Sequence, residues 1–142
     1  MQTSTMNEFL LDTCTIIWKG NNGYLHSDAI DRLNRNYQMA CSTYVSPISA
    51  WELGMLCARG RIRLDRPAEK WFEEYMYRGQ YRLAEMSPRI LIESSYLPGT
   101  PPVDPADRII IATARLLHLE IVTRDRMILE YANKGYVHAL RC

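Results

Sequence analysis

The sequence lacks the features that most directly indicate a secreted, membrane or zinc-ribbon protein. No signal-peptide pattern opens the chain, and no apolar run is long enough to cross a bilayer. The four cysteines show no CxxC spacing, which argues against a zinc ribbon or a redox pair. These absences predict a cytoplasmic protein whose thiols are reduced: Cys14, Cys41, Cys57 and Cys142.

An excess of one charge is also lacking. The formal net charge is +1 over 142 residues, so a nucleic acid would have to be held by a local patch. The composition, 47% hydrophobic and 23% charged, is typical of a globular protein. Because no internal repeat, low-complexity segment or linker divides the chain, we expect a single domain spanning residues 1–142.

Short apolar runs alternate with segments of helical character. Helix starts are indicated by Ser46 before Pro47 and by Ser87 before Pro88, and further helices are predicted near residues 27–40, 66–76, 104–118 and 126–135. Strands separated by helices need crossover connections, which predicts an α/β fold with a mostly parallel sheet covered on both faces. Five runs are predicted to be its strands: EFLL, STYV, YRLAEM, EIVT and YVHAL.

Four acidic residues fall where such a sheet binds ligands. Asp12 follows the first strand and Asp125 the fourth, while Glu52 and Asp107 lie near the starts of helices. Buried carboxylates are costly, and neighbouring ones repel and titrate together. One or two magnesium ions would remove that conflict, so we predict a metal site, although Asp12 could instead cap the segment after it.

The other three acids have structural interpretations as well. Asp104 could be an N-cap with Asp107 as a first-turn acid favoured by the helix dipole. Ser49 and Glu52 have the spacing of a capping box, and Asp125 could cap the helix that follows it. Each acid alone is therefore weak support for a metal site, and the prediction depends on all four occurring together.

Three blocks of the sequence resemble the PIN domain, and more narrowly VapC-type toxins of bacterial toxin–antitoxin pairs. The blocks are LLDTCTIIW, VSPISAWELGMLCARGRIRL and DPADRIIIATARLLHLEIVTRD, and the match covers nearly the whole chain. One departure is Cys14, where many relatives carry histidine or another polar residue. Because Arg108 precedes the apolar run, as in a DPxDR branch, we assign Asp107 rather than Asp104 as the third acid.

The resemblance implies a three-layer α/β/α sandwich with a mostly parallel five-stranded sheet and Mg²⁺- or Mn²⁺-dependent endoribonuclease activity. It also implies a homodimer and a cognate antitoxin that inserts a peptide over the active site. Operator DNA would be bound mainly through the antitoxin. In this interpretation Asp12, Glu52 and Asp107 hold the principal ion, Asp125 completes the cluster or positions water, and a water activated by metal attacks phosphorus.

Several other side chains are candidates for RNA binding or for orienting groups. Thr13 and Thr123 could orient a carboxylate or a water, or could be ordinary turn and strand residues. Trp18 and Trp51 are predicted to pack in the core or in a dimer. Six arginines could contact RNA phosphates, with a solvated surface as the structural alternative: Arg59, Arg61, Arg63, Arg108, Arg124 and Arg126.

Two other functions remain open from the sequence. An aspartate-based phosphatase or phosphoacceptor also places an acid after its first strand. However, haloacid-dehalogenase-type phosphatases need a second aspartate where Cys14 stands, and receivers need a lysine better placed than Lys134. A catalytically degenerate PIN fold could act only as a partner-binding module, although retention of all four acids argues against it.

Overall fold

A computed structural model describes residues 8–20, with side chains as far as Ile17, and residues 42–142. The helix predicted over 27–40 and the side chain of Trp18 therefore lie outside the described residues. None of the described helices has the length and apolar character needed to cross a membrane.

Five strands are described: β1 Phe9–Leu11, β2 Thr43–Val45, β3 Arg82–Leu83, β4 Glu120–Thr123 and β5 His138–Arg141. All five are parallel and form one sheet in the order β3–β2–β1–β4–β5, where the prediction was a mostly parallel sheet. Leu11 at the end of β1 lies opposite Val45 on one side and Val122 on the other.

The helix starts predicted at Ser46, Ser87 and Asp104 are confirmed. Ser46 accepts a hydrogen bond from the Ile48 N–H, and Asp104 accepts one from the Asp107 N–H. The described helices are α1 Thr13–Gly20, α2 Pro47–Ala58, α3 Ala68–Gly79, α4 Pro88–Glu93, α5 Pro105–Leu117 and α6 Arg126–Asn133.

The helices cover both faces of the sheet, as expected for an α/β/α sandwich. Along β1, Phe9 and Leu11 lie in one core and Leu10 lies in the other, because successive strand side chains point to opposite faces. Side chains of α1, α2 and α3 complete the first core, and those of α5 and α6 complete the second.

The order of the strands places a crevice at the carboxyl ends of β1 and β4. The chain builds the sheet from β1 toward β3 on one side and then adds β4 and β5 on the other side of β1. Ligands bind at such a switch point in open α/β sheets. Asp12 directly follows β1 and Asp125 lies just beyond β4, so the two predicted acids are brought to neighbouring strand ends.

Candidate active site

Asp12 is a buried carboxylate held by three donors. It is only 4% exposed, and its backbone N–H donates to the Val122 carbonyl. Oδ1 accepts from the Thr13 N–H at 2.8 Å, while Oδ2 accepts from Thr123 Oγ1 at 2.7 Å and from Cys14 Sγ at 3.2 Å. Burial nevertheless raises the pKa of Asp12, so these bonds only partly offset the loss of water.

Glu52 reaches the same place from α2. Its Oε1 accepts from Thr13 Oγ1 at 2.5 Å, and Thr13 Oγ1 also lies 2.8 Å from Ser49 Oγ. Partial burial raises the pKa of Glu52, the Thr13 bond opposes this, and the charges of Asp12 and Asp104 raise it further. The structure thus places Glu52 beside the residue that follows Asp12.

The capping box predicted for Ser49 and Glu52 is wrong. Helix α2 begins at Pro47, so Ser46 is the N-cap and Ser49 lies inside the first turn. The Ser49 hydroxyl faces Thr13 instead of a free backbone N–H, and the Glu52 carboxylate faces the same way. Neither side chain therefore caps the helix, and both contact Thr13 near the carboxyl end of β1.

Asp107 lies on the first turn of α5, where the charge of the whole cluster acts on it. Partial burial, followed by the charges of Asp12, Asp125, Asp104 and Glu52 in that order, raises the pKa of Asp107 to about 8. Such mutual influence requires that these carboxylates lie near one another. The charges of the other three predicted acids and of Asp104 thus act on Asp107, and the side chain of Asp104 caps the helix as the alternative prediction held.

Asp125 combines a capping role with membership of the cluster. Its Oδ1 accepts from the Ile128 N–H at 3.1 Å, which confirms that it is the N-cap of α6. Its own N–H donates to Thr123 Oγ1 at 2.9 Å, and the Thr123 hydroxyl in turn donates to Asp12. Thr123 therefore links Asp12 to Asp125 and has the orienting role that the sequence left open.

The chemistry of the donor set fits a divalent cation. Carboxylate oxygens are the ligands that Mg²⁺ and Mn²⁺ prefer, and a cation would offset the neighbouring negative charges that, after burial, raise the pKa of Asp107. Within residues 8–17 and 42–142, no three acidic, histidine or cysteine side chains already form a metal-holding group. Hydrogen bonds to Asp12 and Glu52 occupy oxygens that a cation would use.

Cys14 contributes a thiol that the sequence did not assign. The residue as a whole is exposed, but its Sγ points inward to Asp12 and lies 3.9 Å from Thr123 Oγ1. Burial of the thiol, followed by the Asp12 charge, raises the pKa of Cys14 to about 12. The thiol is thus a neutral donor to Asp12.

The predicted RNA-binding arginines have different surroundings. Arg59, Arg61 and Arg63 are exposed after α2. Arg108 instead donates to the carbonyls of Ser94, Ser95 and Pro102, which favours a structural role. Two further arginines lie beside the acids: Arg124, which donates to the Cys142 carbonyl, and exposed Arg126.

Trp51 is 58% exposed on α2, one residue before Glu52. Of the two predicted alternatives, packing in the core of this chain is therefore wrong, and packing in a dimer stays a prediction. In helix α2 the buried positions are Ser49 and Leu53, so Trp51 lies on the far side of the helix from the sheet. Its ring is available to a ligand or to another chain.

Comparison with known proteins agrees with this geometry. The family model of the PIN domain matches residues 9–134. The chain belongs to the PIN domain family. It is also 35% identical over 82 residues to Ribonuclease VapC22 of Mycobacterium tuberculosis, an alignment that covers 58% of this chain and 62% of that protein. The chain thus spans less than two thirds of the length of this curated relative.

Solved structures share the fold of this PIN domain. VapBC2 from Rickettsia felis, bound to a DNA fragment from its promoter, has a TM-score of 0.65 at 13% identity and covers 94% of this chain and 97% of its own. FitAcB from Neisseria gonorrhoeae has a TM-score of 0.56 at 21% identity, and the match covers 93% of this chain and 96% of that chain. A toxin–antitoxin complex from Klebsiella pneumoniae has a TM-score of 0.51 at 23% identity, and the match covers 83% of this chain and 87% of that chain. At these identities the likeness establishes the fold alone.

Proposed function

We propose that this PIN domain protein is a metal-dependent endoribonuclease and the toxin of a type II toxin–antitoxin pair. The observation that carries the proposal is the switch point at which Asp12 and Asp125 follow the neighbouring strands β1 and β4. There Thr13 joins Asp12 to Glu52, and the charges of all three acids act on Asp107. The similarity to Ribonuclease VapC22 supports RNA as the substrate. The aspartate-phosphatase alternative loses its basis, because the chain belongs to the PIN family.

In this proposal Asp12, Glu52 and Asp107 hold Mg²⁺ or Mn²⁺, and Asp125 completes the cluster or orients a water. The cation would supply activation of water and neutralisation of charge on the scissile phosphate. Thr123 keeps Asp12 and Asp125 in a fixed relation through its two hydrogen bonds. The inward-pointing thiol of Cys14 satisfies Asp12 Oδ2 from the exposed side of the crevice.

The RNA backbone is proposed to follow the arginines beyond α2. Arg59, Arg61 and Arg63 are exposed, and they extend from the helix that carries Glu52. Exposed Arg126 and Arg124 could contact phosphates nearer the acids. Trp51 is exposed on the outer side of α2, where its ring offers a face on which an unpaired base could stack, as RNA-binding aromatics do.

The partners proposed for the chain are a second copy and a small cognate antitoxin. The solved structures that share the fold include a toxin–antitoxin complex and a complex with promoter DNA, which supports both an antitoxin and operator binding through it. The antitoxin would place a peptide over the acidic crevice.

Substitution of Asp12 by asparagine tests the proposal. We expect Asp12→Asn to abolish cleavage of a labelled single-stranded RNA in magnesium, because an amide is a far weaker metal ligand than a carboxylate. Asparagine has the shape of aspartate, so circular dichroism and melting should show a folded protein. Cleavage by the parent should stop when EDTA is added.

The matched control is Asp104→Asn. Asparagine caps helices as well as aspartate does, so α5 should keep its start while one charge is removed near the cluster. We expect this variant to retain cleavage. A folded Asp12→Asn variant that cleaves at the parental rate would refute the assignment of Asp12 as a metal ligand. A parent protein that binds metal without cleaving RNA would favour a partner-binding module instead of a nuclease.

A further inference from the structure

Thr13 connects the two carboxylates that come from different elements. Its backbone N–H donates to Asp12 Oδ1 at 2.8 Å, and its side-chain Oγ1 donates to Glu52 Oε1 at 2.5 Å. Asp12 directly follows β1 and Glu52 lies on α2, so the two acids are far apart along the chain. One residue thus contacts both acids, once through the backbone and once through the side chain.

Ser49 completes this arrangement from α2. Its Oγ lies 2.8 Å from Thr13 Oγ1, and both residues are buried. A hydroxyl carries a single proton, and Thr13 gives its proton to Glu52. Ser49 must therefore donate to Thr13, which makes a directed chain of hydroxyls that ends on the Glu52 carboxylate.

Two features distinguish this series of hydroxyl hydrogen bonds from ordinary packing of polar residues. Ser49 and Glu52 are three residues apart on α2, so they lie on the same face of the helix and can both reach Thr13. The Ser49 hydroxyl is also not used as a helix cap, because Ser46 has that role. A donor to a carboxylate that itself accepts a hydrogen bond is a stronger donor, since chains of hydrogen bonds polarise one another.

We propose that Thr13 and Ser49 are positioning residues that hold Glu52 at a fixed distance from Asp12 in the acidic crevice. This inference rests on the proposed metal-dependent function. Neither residue contacts the reacting phosphate in the proposal. They act by presenting the Glu52 carboxylate, in the way that outer hydrogen bonds orient metal-binding carboxylates in other proteins.

Titration calorimetry with Mn²⁺ alone, on the purified full chain, tests the inference. Thr13→Val removes the hydroxyl but keeps the backbone N–H on Asp12, so its effect isolates Glu52. We expect about a tenfold weaker Mn²⁺ affinity for Thr13→Val, because losing an outer hydrogen bond has effects of that size. Thr13→Ser restores the hydroxyl and should bind Mn²⁺ as the parent does. Ser49→Ala should have an affinity between those of Thr13→Ser and Thr13→Val.

Thr113→Val is the matched control. Thr113 is also fully buried, but its hydroxyl donates to the Ile109 carbonyl within α5. This variant should keep the parental affinity while losing one buried hydroxyl. If Thr13→Val folds and binds Mn²⁺ like the parent, or if Thr13→Ser is as defective as Thr13→Val, the positioning role is wrong.

Metal-free crystal structures of the parent and of Thr13→Val separate this inference from the proposed function. We expect the Glu52 carboxylate to leave its place beside residue 13 in the variant, and an unmoved carboxylate would overturn the inference. A parent that binds no Mn²⁺ would defeat the metal-dependent function, while the two crystal structures would still decide whether Thr13 positions Glu52. Should Thr13→Val fail to fold, the affinity and structure of Ser49→Ala decide in its place.

Discussion

Asp107 bears the electrostatic consequence of gathering several acids in one crevice. Its pKa of about 8 compares with 3.8 for an isolated aspartate, first because of burial and then because of its acidic neighbours. The folded state therefore binds this proton more tightly than the unfolded state. The stabilisation that results is fully present below the unfolded pKa and is lost as the pH rises through the folded pKa.

The first prediction concerns Asp107→Asn in metal-free protein. The free energy of unfolding of the parent should fall as the pH rises from about 4 to 8, and asparagine, which does not titrate, should remove much of that slope. At about pH 8 we expect the free energy of unfolding of the variant to exceed that of the parent by about 1–2 kcal/mol. The difference is this small because Asp107 is half-exposed and solvent screens the charges around it. Urea unfolding in EDTA over this pH range measures it.

Asp65→Asn is the control for this pH dependence. Asp65 is exposed in an ion pair with Arg66, which lowers its pKa, so it stays ionised throughout the same pH range. Its substitution should leave the slope between about pH 5 and 8 as in the parent. An Asp107→Asn variant with the parental slope would mean that another group carries the proton.

At the scale of single residues, the sequence predicted where the acids lie in the fold but not the hydrogen bonds that hold them. Asp12 and Asp125 could be predicted because each follows an apolar strand run. The contacts of Thr13 with Ser49 and Glu52 span 36 and 39 residues along the chain, and they depend on how α1 packs beside α2. The three-residue spacing of Ser49 and Glu52 was a usable signal, but it equally suggested a capping box.

Helix α2 carries Glu52 toward the crevice, and the segment after the helix carries arginines toward solvent. Ser46 starts the helix, Glu52 points to the crevice, and Gly60, at φ +68°, ends the helical path in a left-handed conformation that favours glycine. Beyond it, Ile62 and Leu64 pack against the first core. The arginines that alternate with them are therefore directed toward solvent.

The second prediction is that Arg59, Arg61 and Arg63 contact RNA phosphates. Replacing all three with glutamine should weaken binding of a labelled RNA and flatten its dependence on salt, because fewer counterions are released. The slope of log affinity against log salt should fall by roughly 0.7 per lost contact on a single strand. Titrations at several salt concentrations, in an Asp107→Asn background that leaves the RNA intact, provide the measurement.

A control with the same loss of charge uses Arg82, Arg89 and Lys134, which are exposed on three other elements or turns. Replacing these with glutamine should change the slope much less. If both triple variants behave alike, only net charge matters, and an unchanged slope in the first variant would place the RNA path elsewhere, at Arg124 and Arg126.

Element types were predictable from the sequence more reliably than element lengths. Of YRLAEM only Arg82–Leu83 is a strand, because only these two residues pair with β2, opposite Tyr44 and Val45. Likewise α4 ends at Glu93 although the helical pattern continues, and the Ser94 hydroxyl there donates to the Leu91 carbonyl. Where a ladder or a helix stops is decided by neighbouring elements, which local sequence does not contain.

At the scale of the whole molecule, topology makes the site. The sequence predicted a parallel sheet but not that β1 and β4 are neighbours, and this neighbour relation brings Asp12 and Asp125 to one crevice. The net charge of +1 conceals the local concentration of acid there. Carboxylates thus repel one another near the carboxyl ends of β1 and β4, and a cation that relieves this repulsion should stabilise the entire domain.

The third prediction is that magnesium raises the melting temperature, and more strongly at about pH 8.5 than at about pH 6. A ligand that binds only the folded state stabilises it by about 2.7 kcal/mol at a hundred times its dissociation constant. At the lower pH the cation must displace the proton of Asp107, whose pKa is about 8, so the gain is smaller. Calorimetric melts with and without magnesium at both values measure the difference.

Combining Asp12→Asn with Asp107→Asn should remove most of this shift, because two of the four proposed ligands become amides. The double variant should also melt higher than the parent in EDTA, since the repulsion is relieved even without a cation. The control is Glu93→Gln with Glu130→Gln, which removes the same charge from exposed positions outside the crevice and should keep the full magnesium shift. A double aspartate variant that also keeps the full magnesium shift would show that magnesium binds elsewhere and that Asp12 and Asp107 act only on the first turns of α1 and α5.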